Sequence, residues 1–481
     1  MEPVQLWGSG TLSKAATITA QKRVNVRFEL RNDGDKANLV CIGTSGLTSA
    51  VTLTTAPNGP IRGTQDGEHY FYVVAGDTVY RIRADFQQQT TFGTLRTTAG
   101  EVSLAVNGTE LGIVDGNSGY ILSGYDTATS TLTEITDVDF PDGARTICAV
   151  GGRFVVEKPN TGEFYVSGSY DGFTWTGLMF ATAEQISDSL VAVSEYRGYL
   201  VPFGTRSTEA WQVVGALNFP YAPVLNATQN WGLAAVFSRA KVGDALYFLA
   251  QSPQGQVQVR RINGWQMETV SDADMDTIIN RFSAKSDAVG MGFMDEGHAI
   301  YRLTFPSANR TFDYDTTTQI WNEVASGQTA ADRHIGHYSL VVNGKVYLTD
   351  YRQSNPEIYE LSPTTYADDG AVIKRIVRTR HLSKGGNVFT IDELALDMET
   401  GVGLQSGQGS DPQLMVRISK DGGRSWGIER WVSIGAPGKT ETNVAIRRCG
   451  SGKDFVFEFS MTDPVQFVIN RAFWKTSMGP Q

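Results

Sequence analysis

Short apolar runs rich in Val, Tyr, Phe, Ile and Thr alternate along the chain with Gly, Asn and Asp turns. Few segments carry the 3.6-residue period of an amphipathic helix, so the pattern predicts β-strands almost throughout. Seven times a glycine precedes an apolar strand: Gly67 (EHYFYVV), Gly108 (TELGIVD), Gly152 (RFVVEK), Gly198 (YLVPFG), Gly243 (DALYFLA), Gly297 (HAIYRLT) and Gly344 (KVYLTD). The steps range from 41 to 54 residues and average about 46. Shortly after each glycine a second strand is expected, as at Thr78-VYRI, Gly119-YILSG, Gly162-EFYVSG, Thr208-EAWQVV and Pro356-EIYELS. Two units share a longer string, Tyr125-DTATSTL and Tyr314-DTTTQIW, which reads as a hairpin whose Asp and Thr side chains cap the turn.

Three or four short strands per unit at this period predict an all-β fold built on a β-propeller. A single blade cannot bury both apolar faces, whereas a closed ring buries them and removes the exposed sheet edges. Seven blades follow from the count, and six if a terminal unit belongs elsewhere; coincidental spacing in a long sandwich or β-helix is the competing reading. The propeller is expected over residues 56–369, ending at the polar stretch Tyr366-ADDG. Beyond it, over 370–481, longer alternating strands such as Asp392-ELALDME, Leu414-MVRIS and Asp454-FVFEFSM predict a β-sandwich-like platform domain. A Gly/Ser/Gln-rich loop is expected at 401–413. Residues 1–55 match neither pattern. Their strands, Val24-NVRFEL and Asn38-LVCIG, are expected to lie outside the ring and pack with the platform, since chain ends often meet.

Charge separates the two parts. The chain of 481 residues carries 41 Lys+Arg and 51 Asp+Glu, a net charge of −10. Residues 373–481 hold 15 basic and 11 acidic side chains, +4, which leaves 26 and 40, −14, for residues 1–372. A chain that wraps and grips nucleic acid needs a basic surface, so that class is excluded. The three cysteines cannot build a disulfide framework, and five histidines leave little material for a metal site. The N-terminus lacks the features of a secretory signal and no apolar stretch is long enough to span a membrane, so synthesis and folding in a cytoplasm are expected.

Catalytic and cofactor motifs fail on spacing, so neither a cofactor nor a metal is expected. Gly435-APGKT has two residues between its glycines where a phosphate loop needs four, and no helix follows. Asp272, Asp274 and Asp276 open like a calcium loop, but Thr277 and Ser283 occupy the diagnostic Gly and Glu positions. His334 and His337 sit in an expected strand without a third ligand at zinc spacing. Cys148, beside Ala149 and Val150, reads as buried and inert. One motif is sharp: Ser419-Lys-Asp421-Gly-Gly423-Arg-Ser425-Trp426 fits the Asp-box pattern, in which the Asp accepts backbone N–H groups inside a turn and the Trp packs beneath it. A shorter copy is Ser169-Tyr-Asp171-Gly-Phe-Thr174-Trp175. The motif is a structural staple and not evidence of glycosidase chemistry, which needs converging carboxylates. A glycan-binding or sialidase-like propeller remains the alternative, and a soluble scaffold propeller a further one.

Three stretches carry a resemblance. They are Gln21-KRVNVRFEL with Gly43-TSGL, the middle segment Tyr196-RGYLVPFGTRSTEAWQVVGALNFPYAPV, and the end Arg417-ISKDGGRSWGIERWVSIG with Phe457-EFSMTDPVQFVINRA. Together, in this order, they resemble the packaged-DNA stabilisation or tail-nozzle proteins of short-tailed bacteriophages; Ser45 stands where the family has Pro. The resemblance implies a non-enzymatic virion protein of the short tail. It implies a ring of six copies below the portal-adaptor ring, extending the DNA channel, retaining the packaged genome and docking tailspikes or fibres. Its partners would be further copies of itself, the adaptor, a spike or fibre, and the exiting DNA in passing. Under that reading the acidic propeller keeps DNA from adsorbing. The densest basic run of the platform, Lys374, Arg375, Arg378 and Arg380, becomes a candidate assembly interface. The plainer reading of the run is a strand edge guarded by charge.

Overall fold

Each of the seven turn glycines lies in the hairpin between two consecutive strands of one sheet. In the computed structural model, which describes residues 1–8, 19–31, 39–54, 57–183, 186, 188–216, 219–352 and 356–478, these sheets stand as seven blades. Gly297 and Gly344 show why the pattern is so regular. Glu296 and Gly297 have φ of 48° and 86°, and Asn343 and Gly344 have 52° and 76°. Two successive left-handed residues make the tight turn whose twist matches a hairpin, and glycine reaches it without strain. A Cβ at either glycine would meet nothing within 4 Å, so conformation and not space selects the residue.

Blades 1 to 4 are four-stranded sheets over 61–94, 103–134, 147–182 and 190–223. In blade 5, over 232–269, two short segments, Gly232–Leu233 and Ala240–Val242, pair side by side on Ala245–Gln251. The helix Ala273–Arg281 follows, capped by Asp272, whose carboxylate accepts the Met275 N–H at 2.7 Å; Met275 and Ile279 face inward one turn apart. Blade 6 comprises Val289–Asp295, His298–Phe305, Arg310–Asp315 and Ile320–Ser326. Blade 7 takes three strands from 336–362 and its fourth, Gly46–Thr52, from the N-terminal region. This last pairing departs from the expectation that residues 1–55 lie outside the ring. A three-stranded last blade would leave an open edge, and borrowing a strand from the start of the chain closes it.

The other N-terminal strands leave the ring. Val26–Leu30 pairs with Leu39–Gly43, which pairs with the C-terminal strand Val468–Met478. That strand lies beside Phe389–Met398 and then Val444–Gly452, forming one platform sheet. The facing sheet is Arg375–Arg378, Asp454–Met461, Gln413–Ser419 and Arg430–Ser433. Between them sits a core that includes Phe28, Phe389, Leu394, Val416, Phe455, Phe457 and Phe459. The alternate residues Phe455, Phe457 and Phe459 stack along one strand face at 6.4 and 6.1 Å.

The two-residue strand Arg23–Val24 joins ring and platform. It pairs in parallel with blade 6 at Glu323 and antiparallel with Arg375–Arg378. Blade 6 and the second platform sheet are therefore one continuous eleven-stranded sheet.

Candidate assembly surfaces

The platform Asp box folds as its sequence demands. Gly422 and Gly423 take φ of 72° and 86°. Asp421 accepts the Arg424 and Ser425 N–H groups at 3.1 and 2.9 Å, and the Ser419 and Ser425 hydroxyls at 2.7 and 2.6 Å. The Ser425 hydroxyl and these backbone donors hold the Asp421 carboxyl well below the usual carboxylate range. Trp426 is expected to pack beneath the turn. It is half-buried and lies against the guanidiniums of Arg378 and Arg417, 4.7 and 5.5 Å from its ring. Both arginines also pair with Glu458, at 2.7 and 3.4 Å. In the shorter copy Asp171 accepts the Phe173 N–H at 2.9 Å, and Trp175 is buried against Phe140 at 5.0 Å.

The basic run is not one exposed face. Arg375 is 0% exposed and donates to the Tyr366 carbonyl at 3.3 Å. Arg378 is held by Glu458 and Trp426, and Lys374 is half-buried. Arg380 alone of the four is exposed. The reason is topological: Arg375–Arg378 is an interior strand, flanked by Arg23–Val24 and Asp454–Met461, and its first three residues are buried. Burial takes Arg375 out of any docking contact.

Buried charge concentrates instead where ring and platform meet. Arg302 forms a two-pronged pair with Asp313 at 2.6 and 2.7 Å, and a third nitrogen reaches Nδ1 of His334 at 3.0 Å. That Nδ1 also accepts the Gly336 N–H at 2.9 Å, so the imidazole is neutral with its proton on Nε2. Burial and the neighbouring guanidinium hold the His334 pKa well below its ordinary value. Arg27 pairs with Asp295 and Glu296 of the blade 6 turn, and the Ser45 hydroxyl donates to Asp295 at 2.8 Å. Asn25, at φ 54°, exchanges hydrogen bonds with Ala325 and donates to the Lys374 carbonyl at 2.9 Å. Asp368 is buried close by, and burial pushes its carboxyl up to about 7 against the pull of Arg302, Arg375 and Arg352.

Other chemistry-bearing residues resolve into structure. His337 pairs with Glu101 at 3.3 Å, separate from His334. Asp315 caps its own turn, accepting the Thr317 N–H at 2.9 Å and the Thr318 hydroxyl at 2.9 Å. Asp126, in the matching string, reaches back to blade 1 and accepts the His69 and Tyr70 N–H groups at 2.9 and 2.8 Å. Glu68, His69 and Asp126 bring possible ligand atoms within 4.8 Å, but both Asp126 oxygens are already engaged, the second by the His69 ring. Cys148 is buried and its thiol pKa is raised. No described helix is long and apolar enough to cross a membrane.

Two apolar exposures were not legible in the strand pattern. Ile428 and Trp431 on the platform are 90% and 65% exposed, and Val138 and Leu178 on blades 2 and 3 are 95% and 85% exposed.

Residues 10–366 match the family described as Bacteriophage P22 Gp10, beta-propeller, and residues 374–477 match Bacteriophage P22 Gp10, beta-sandwich. No curated protein matches the chain. Among solved structures, the extracellular domain of the two-component system BT4673 from B. thetaiotaomicron is 10% identical with a TM-score of 0.44, covering 69% of this chain and 41% of its own. The Pan2 WD40 domain of Neurospora crassa is 9% identical with a TM-score of 0.42, covering 67% and 95%. The chain thus spans less than half the length of the first of these.

Proposed function

The chain belongs to the bacteriophage P22 Gp10 family, and from that membership we propose that it forms the nozzle ring of a short phage tail. It is a structural protein of the phage tail and not an enzyme. The proposed ring holds six copies below the portal-adaptor ring, continues the DNA channel, helps retain the packaged genome and offers docking sites to tailspikes or fibres. The observation that carries this reading is the match to both family domains, in order, across nearly the whole chain.

Two physical features support it. A tail part under the pressure of packaged DNA must not come apart between its domains, and the shared eleven-stranded sheet hydrogen-bonds propeller to platform. A passage for duplex DNA must not adsorb it, and residues 1–372 carry −14. We place the candidate assembly run towards the adaptor; of its residues Lys374 and Arg380 retain exposed surface, while Arg375 and Arg378 hold the strand in place.

Cryo-electron microscopy of the chain mixed with its adaptor tests the reading. Sixfold rings around a hole wide enough for duplex DNA are expected, and dispersed monomers in the presence of adaptor overturn it. Lys374→Glu with Arg380→Glu is expected to weaken adaptor binding while leaving the fold intact; unchanged binding removes these residues from the interface.

A further inference from the structure

Two of the exposed apolar sites, Ile428/Trp431 and Val138/Leu178, lie on different domains and carry opposite flanking charge. The eleven-stranded sheet begins with Val289–Asp295, next to the propeller axis, and ends with Arg430–Ser433. Eight strand-to-strand steps separate them, about 40 Å along the sheet. Among the described residues Arg430–Ser433 pairs as a strand on one side only, with Gln413–Ser419, so it is the last strand of this sheet. Trp431 stands on that strand with Ile428 just before it. The Trp431 indole N–H is satisfied by Glu429 at 3.1 Å, so what remains outward is its apolar surface. Arg430 donates to the Arg447 and Arg448 carbonyls at 2.8 and 3.2 Å. All three arginines are exposed; the Arg447 guanidinium pairs with Glu393 at 3.2 Å, so Arg430 and Arg448 supply the basic flank of this edge.

Across the axis, blade 3 lies three blades from blade 6 in one direction and three from blade 7 in the other. Its outermost strand, Asp171–Thr182, breaks register: Phe180 pairs with Tyr165 and Trp175 with Ser167, so residues 176–179 bulge outward and project Leu178. Near the bulge lies a groove of about 770 Å³, lined by blade 2, by the 135–143 connection that leads to blade 3, and by Arg96 at the end of blade 1. Buried Ile135 and Phe140 form its floor and exposed Val138 its apolar rim. Arg96 in the lining pairs with Glu134 at 2.6 and 3.0 Å, which leaves Asp137 and Asp142 as its acidic flank. Gly177 of the bulge approaches the Asp139 carboxylate, so groove and bulge form one surface.

Resting on the ring proposed above, we infer that the arginine-flanked Ile428/Trp431 edge of one copy docks on the acidic Val138/Leu178 surface of the next copy. A closed ring of identical chains needs two different, complementary surfaces on separate sides of each chain. Here an apolar centre with basic flanks meets an apolar groove with acidic flanks, and the two lie on different domains. Trp with Arg is also the composition that concentrates binding energy at interfaces. The bulge and the acidic flank keep the blade 3 edge from pairing with itself, as does the basic flank at the platform edge.

The test is cysteine pairing with a charge swap, in the presence of adaptor. All three native cysteines are buried. The double variant Val138→Cys/Ile428→Cys is expected to give, on mild oxidation, a ladder of covalent multimers ending at the ring size, and each single variant none. Arg448→Asp is tolerated at its φ of 56°, because Asp reaches the left-handed region more readily than most residues. Arg448→Asp and Asp142→Arg are each expected to cut the ring fraction about tenfold near the assembly threshold, and the pair to restore it. Intact rings that neither cross-link nor respond to the charge changes overturn this interface and leave the ring standing. Wild-type monomers in the presence of adaptor overturn both.

Discussion

Replacing Arg302 by Met tests whether the buried charges at the ring–platform junction act as a closed set. Arg302 and Asp313 are both buried and joined by two bonds of 2.6 and 2.7 Å. Burial already raises the Asp313 pKa, with Arg302 the chief opposing influence. Without the guanidinium the carboxylate has lost the partner that offsets its desolvation. Removing one member of such a pair costs about 3–5 kcal/mol. The His334 Nδ1 keeps its Gly336 donor, so the loss falls mainly on Asp313. Replacing both members by apolar residues of similar volume, Arg302→Met with Asp313→Leu, removes the stranded charge and is expected to recover most of the loss. Urea unfolding followed by tryptophan fluorescence, run on wild type, both single variants and the double, gives the comparison. The deficit of Arg302→Met is expected to shrink as pH falls, because an unpaired buried Asp313 escapes its penalty by taking a proton. A single variant as stable as wild type refutes the reasoning, and so does a double variant as unstable as the single.

Asp368 gives a pH signature of defined sign. Its folded pKa, about 7, lies above the ordinary carboxyl value, so the folded state holds the proton more tightly; the stability this contributes is present at acid pH and declines as pH rises towards about 7. Asp368→Asn is expected to flatten that decline, measured as the unfolding midpoint between pH 5 and 8; an unchanged slope counts against the assignment. A Cβ on Gly46 would lie 2.5 Å from the Ala367 carbonyl and 2.6 Å from that of Thr365, so Gly46→Ala is expected to cost about 1–3 kcal/mol and to expose the blade 7 edge to limited proteolysis. Unaltered cleavage there would mean that the borrowed strand does not close the ring. Asp421→Ala is expected to speed amide exchange at 422–426 while the global unfolding midpoint stays within about 2 °C, since the turn is an exposed local staple; a global loss would make it part of the core.

What the sequence discloses is whatever its local chemistry dictates. The blade count was readable because each blade repeats one local requirement, a left-handed residue in a hairpin, and glycine answers it six times out of seven at positive φ; Gly67 alone does not. The platform strands were readable because their alternation is simple, as at Phe455, Phe457 and Phe459. The Asp box was readable because its ligands lie within seven residues. What stayed hidden depends on partners far along the chain. Gly46–Thr52 has the same composition whether it joins the platform or blade 7, and its partner strand lies some three hundred residues on. The basic run looked like a surface because four cations in seven residues usually are one. Only the flanking strands, one of them two residues long, show that Arg375 is interior.

The exposed apolar ends extend the same point to assembly. A strand such as Arg430–Ser433 gives no sign in its own letters of being last in a sheet, and Leu178 gives none of sitting on a bulge. Once the sheet order is known, both exposures become informative, because a monomer gains nothing by holding Trp431 in water on the last strand of a sheet. The shared sheet then has two roles. It fixes the platform to blade 6, and it places the Ile428/Trp431 edge eight strand steps along the sheet from the first strand of blade 6. A flexible tether between propeller and platform would let that edge find the groove of its own copy or of any neighbour. A hydrogen-bonded sheet fixes the direction, so the proposed contact repeats with one rotation per copy, and the proposed ring requires that rotation to close.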